Sequence, residues 1–189
     1  MRPRGAASAR RASQDERMAP IPLSRELPAA EPLSPPSLAA AALSRDERVL
    51  AHLCARCGGA LAALAASLEG IELVLERLAD APEDTKGREE ARRLVAEVTA
   101  MLRRDGPPLL LRAQALRMHL HLAGFIGPDS LGAALGALQG EIARLAELEL
   151  PQDRSEMTRW FLPLRQGRAH AMRLAAEFVR HAGRLSGAG

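Results

Sequence analysis

Residues 50–80 read LAHLCARCGGALAALAASLEGIELVLERLAD, and the spacing of the apolar residues in this stretch decides the fold class. Leu50, Cys54, Cys57, Leu61, Leu64, Leu68, Ile71, Leu75 and Leu78 follow one another at alternating intervals of four and three. A helix of 3.6 residues per turn gathers such positions into one stripe, the pattern of left-handed helix packing. Ser44-Arg-Asp-Glu47 has the form of a capping box just ahead of it. The expected helix runs from Ser44 to Ala79, and Gly58-Gly59 is the expected place for a bend or break.

Four further amphipathic segments follow. Residues 86–104 carry Ala91, Leu94, Val98 and Met101, and Asp105-Gly106-Pro107-Pro108 reads as a stop. Residues 108–123 carry Leu109, Ala113, Leu116, Leu120 and Ala123. Asp129 or Ser130 is positioned to cap a segment with Leu131, Leu135, Leu138, Ile142 and Leu145. Asp153-x-x-Glu156 opens the last, with Phe161, Leu164, Ala171, Ala175, Phe178, Ala182 and Leu185; Pro163 is expected to kink it and Arg168 is a misfit. The expectation is an all-α bundle of about five amphipathic helices with coiled-coil-like heptad seams over residues 44–189.

Composition agrees with that class. Aromatic residues are 2% of the chain and tyrosine is absent, so Leu and Ala, both good helix formers, carry the apolar content. Residues 1–43 hold seven of the thirteen prolines and read as a disordered tail rich in Pro, Ala and Arg. The net charge is +3, and two of those charges fall in that tail, so no broad basic face points to nucleic acid. No uninterrupted apolar run suggests a membrane span. Location is read as intracellular and cytoplasmic, with the Arg-rich N-terminus offering mitochondrial targeting as an alternative.

Three functional readings follow from the residues. The first is a non-enzymatic helical adaptor or subunit of a helical assembly. It would work by protein-protein contact or self-association, through a first helix too long for helices of about 15–20 residues to cover, and needs no cofactor. Its candidate partner-binding residues are Trp160 and Phe161, half of the aromatic residues, with the acids Glu69, Glu72 and Glu76 and the arginines Arg173, Arg180 and Arg184. With five helices in an up-down bundle the first and last run the same way, bringing acidic residues 69–84 beside basic residues 157–189. Mutual compensation and a partner surface are both open to that pairing.

The second reading is a zinc- or redox-responsive protein built on Cys54 and Cys57, with His119 as the best-placed third ligand. A zinc site takes four ligands, and both cysteines also fit as small buried residues of the seam. His170, Glu177 and His181 share a helix face beside Arg173 and Arg180, which reads as a solvated face. The third reading comes from Leu116-Arg-Met-His-Leu-His-Leu-Ala-Gly-Phe-Ile-Gly127, which is loosely similar to histidine-phosphotransfer domains. That resemblance implies a four-helix signalling bundle with His119 or His121 as phospho-acceptor. It covers about a dozen residues, Arg117 stands where the family's histidine belongs, and the family's lysine-glycine pair is absent. No phosphate loop, nucleophile elbow or zinc-hydrolase helix is present, and the chain reads as a non-enzyme.

Overall fold

A computed structural model describes residues 45–187; the Pro-rich residues 1–43 and Ser44, half of the expected capping box, lie outside the described residues. The described chain is all helical, with α1 over Arg45–Asp80, α2 over Thr85–Leu122, α3 over Gly132–Leu145 and α4 over Arg154–Leu185. The expectation of five helices is corrected: residues 86–104 and 108–123 are parts of one 38-residue α2 that passes through Gly106-Pro107-Pro108.

The reason lies in what each of these three residues faces. Gly106 is buried, and a Cβ there would stand 2.9 Å from Ile142 Cγ2, so the glycine is a notch that lets α3 close on α2. Pro107 and Pro108 are exposed. The carbonyls they leave without amide partners belong to Arg103 and Arg104, also exposed, where water can satisfy them. Pro163, which is buried, lies inside α4 and neither ends nor splits it; the carbonyl it leaves without an amide partner belongs to exposed Arg159. Gly58-Gly59 does not interrupt α1.

Helix α1 packs most extensively on α4 and also on α2, and α3 closes the ring against α2 and α4. The pairing of α1 with α4 is antiparallel. Gly58 lies against Val179 and Ala175, Leu68 reaches Gly167, and Glu72 meets Arg165. At Gly167 three helices converge, and a Cβ would stand 3.2 Å from Leu68 and 3.3 Å from Leu145. The core holds Leu61, Leu64, Leu68, Ile71 and Leu75 from α1 with Leu164, Ala171, Leu174 and Phe178 from α4. Each fully buried leucine contributes about 1.5–3 kcal/mol by leaving water. Leu78, Ala79, Ala91 and Met157 form a smaller cluster near the α1–α2 turn. By length and composition alone α1 could cross a membrane, a test that the core helix of a bundle also passes.

The helix ends follow local chemistry. The Asp84 side chain accepts from the Gly87 amide at the start of α2. Asp153 accepts from Glu156 N at 2.8 Å, and Glu156 accepts from Gln152 N at 2.8 Å, one residue before the N-cap that a capping box would use. The start of α3 differs from the expectation. Neither Asp129 nor Ser130 caps it. The N-cap is Leu131, in the left-handed region at φ 63, with no side-chain cap. The preceding connection is tied instead to Arg117, whose Nε donates to the Ser130 carbonyl at 2.9 Å and whose Nη2 donates to the Pro128 carbonyl.

Candidate functional site

The acidic and basic segments meet across α1 and α4. Arg165 donates to Glu72 through Nε and to Glu76 through Nη2, the latter at 2.8 Å. Arg168 Nη1 donates to Glu69 Oε1 at 3.2 Å and forms an ion pair with Glu72 Oε2 at 3.2 Å, without hydrogen-bond geometry at that second oxygen. Glu72 is buried, and burying a charged group is costly unless it is paired. Antiparallel packing therefore joins residues 69–76 to residues 165–168, where a parallel first and last helix was expected. Arg168, the misfit of the sequence pattern, is half of this network.

Among the other proposed contact residues, Trp160 and Phe161 are half-buried against the core. Arg165 stacks its guanidinium 5.8 Å from the Phe161 ring centroid. Arg180 pairs with Glu177 at 2.7 Å on its own helix. Arg173 and Arg184 line a polar cavity with His181, beside the α3 start. The structure thus gathers Glu69, Glu72 and Glu76, and places Arg173 and Arg184 elsewhere on α4.

Cys54 and Cys57 are unpaired thiols facing the core, 0% and 6% exposed. Burial pushes the Cys54 thiol up to about 11. Burial likewise pushes Cys57 to about 11, with neighbouring Cys54 adding to the rise and Arg112 opposing it. Metal binding and thiol exchange both need the thiolate, which this environment disfavours. His119 is exposed and lines a groove of about 500 Å³ with Cys57, Arg56 and Arg112. Among the described residues no group of three or more His, Cys, Asp or Glu side chains is arranged to hold a metal. His52 is exposed, and His121 Nδ1 lies 3.2 Å from the Ile126 carbonyl.

Two measurements follow. Moving a thiol from its ordinary 9.0 to about 11 lowers its thiolate fraction roughly 100-fold near neutral pH. Alkylation by iodoacetamide at pH 7.5, followed by mass, is therefore expected to be at least about 100-fold slower in the folded chain than in urea. The folded state holds these protons after the unfolded chain has released them. Stability is thus present below pH 9 and is lost as pH rises from 9 toward 11, a loss that Cys54→Ala with Cys57→Ala removes. A urea midpoint flat across that window would contradict the burial of both thiols.

His181 corrects the sequence reading of a solvated His170, Glu177 and His181 face, because it is only 6% exposed. Burial first, then Arg184 and Arg180, hold its imidazole below the ordinary range, with Glu177 opposing. Its position was legible in a second spacing on α4: Leu164, Gly167, Ala171, Leu174, Phe178, His181 and Leu185 alternate three and four, and all are buried. No protein-family model, curated protein or solved structure matches this chain.

Proposed function

We propose that the chain is a non-enzymatic helical adaptor, or a subunit of a helical assembly, that acts by protein contact through α1. One observation carries this reading. Residues 57–68 of α1 contain no charged side chain, although Gly59, Ala60, Ala63 and Ala66 in that stretch are exposed. An exposed helix face in water ordinarily carries charge, and this bare stretch runs for about 18 Å at 1.5 Å per residue. Val179 leans on Gly58, so exposed Met172, Ala176 and Val179 of α4 extend the same face. Small residues let a second helix approach closely, and the reading includes coiled-coil-like packing of that partner.

The motive differs from the one read in the sequence. The leucine stripe of α1 is buried from Cys54 to Leu78 in a helix that packs on both α4 and α2, so little surplus seam remains for a partner. The acids Glu69, Glu72 and Glu76 are engaged by Arg165 and Arg168. Contact therefore falls on the outward small-residue face.

Gly59→Glu with Ala66→Glu tests this. Gly59 has open space around the position of a Cβ and Ala66 is exposed, so the helix tolerates both changes. The expected result is a smaller particle on size-exclusion chromatography of fresh extract, with a cooperative thermal melt retained. An unchanged particle size would refute contact through α1.

A further inference from the structure

The α3 start, the Ala123–Leu131 connection and the last turns of α4 surround a cavity of about 480 Å³. Three observations there concern charge and unmet hydrogen bonding. The N–H groups of Gly132, Ala133 and Ala134 open α3 with no side-chain cap and no acceptor among the described residues. His181 lines the cavity, is 6% exposed, and hydrogen-bonds to nothing among the described residues. Arg173 and Arg184 line it too, and neither forms an ion pair among the described residues.

A third cation, Arg117, stands behind the helix start, its guanidinium carbon 3.3 Å from the place of a Cβ on Gly132. The N-terminus of a helix carries partial positive charge and is destabilised by nearby cations. The acids facing this site are Asp129 on the connection and Glu177 on α4, and Glu177 already accepts from Arg180 at 2.7 Å. Arg173 and Arg184 thus line a polar cavity at a helix N-terminus, with Arg117 behind it and Asp129 as the one uncommitted carboxylate of the lining. An anion resolves the imbalance.

We propose that this cavity binds the phosphate monoester of a small molecule, held by the N–H groups of Gly132–Ala134, Arg173, Arg184 and His181. A monoester brings three acceptor oxygens and a charge near −2 at neutral pH, matching a helix N-terminus and guanidinium donors. A carboxylate offers fewer acceptors and a single charge. The volume falls in the range of about 300–1,000 Å³ common for small-molecule sites, and Phe125 and Ile126 supply an apolar wall for the organic part. The site lies away from the bare face of α1 and is independent of the contact reading.

The test is an NMR titration of the full chain in about 0.1 M salt, which screens long-range attraction. Inorganic phosphate, glycerol 3-phosphate and acetate are added separately while the His181 Cε1–H and Gly132–Ala134 amide signals are followed. Both phosphates are expected to give saturable shifts at these positions, and acetate is expected to bind at least about tenfold more weakly. Arg173→Gln with Arg184→Gln, both exposed, is expected to weaken phosphate binding at least about tenfold with an unchanged melting curve. His181→Gln is expected to weaken it as well, and Arg92→Gln with Arg93→Gln on α2 to leave it unaltered. The proposal is overturned by shifts that do not saturate by about 20 mM phosphate (an affinity too weak for a built site), by acetate binding equally well, or by undiminished binding in the Arg173/Arg184 variant.

Discussion

Phe178→Ala is expected to destabilise the bundle by about 3–5 kcal/mol, read as a lower urea midpoint with an unchanged slope. Phe178 is 0% exposed and heads the fully buried side chains by size. The chain has only three phenylalanines and one tryptophan, and of these rings Phe178 alone is fully buried, Trp160 and Phe161 being half-buried against the core. Its helical neighbours Ala171, Ala175 and Ala182 are buried and small and cannot collapse into the vacated volume. The cost is then near the upper part of the range for large-to-small changes, against a total stability of about 5–15 kcal/mol for an ordinary domain. A loss under about 1 kcal/mol would mean that this face of α4 is not core.

Gly58→Leu is expected to cost about 3 kcal/mol, while Gly59→Ala next to it is expected to stabilise by up to about 1 kcal/mol. A Cβ on Gly58 would stand 2.8 Å from Val179 Cγ2 and 3.0 Å from the Ala175 carbonyl oxygen. The side chain can turn away, but the carbonyl belongs to a helix backbone and moves only if α4 moves. Gly59 meets nothing within 4 Å, so Ala there gains helix propensity without a clash. Adjacent glycines with opposite responses would report the close approach of α1 and α4 directly, in paired thermal melts. Stabilisation by both substitutions would contradict that approach.

The stripe of α1 was legible because leucine at three-four spacing leaves one helical face to bury, and Cys54 and Cys57 fall on it. The course of α2 was not legible. A Gly-Pro-Pro run reads as a stop on the energetics of an isolated helix, whereas here the glycine seats Ile142 and the prolines cost their hydrogen bonds on the water side. That one misreading propagated. Counting five helices makes the first and last parallel, and counting four makes them antiparallel, which moves the charge pairing from the arginines at the end of α4 to Arg165 and Arg168.

The polar cavity was the least legible feature. Its residues come from a connection, a helix start and about three turns of α4, and no spacing along the chain announces that they meet. Leu131 ends the connection in a left-handed conformation, which leucine by itself disfavours. The bare face of α1 was present in the sequence as a twelve-residue interval without charge. It is recognisable as a surface only once the leucines are seen buried among the helices and the alanines left outside.

Native mass spectrometry of the full chain, purified without added metal, tests the central claim most directly. A protein that works by contact through α1 is expected to appear as a multimer of the 20.2 kDa chain or with a co-purified protein, and without a metal mass. That larger species is expected to disappear in the Gly59→Glu, Ala66→Glu variant. A 20.2 kDa monomer carrying one zinc, the same in both proteins, would contradict the account and return function to Cys54 and Cys57.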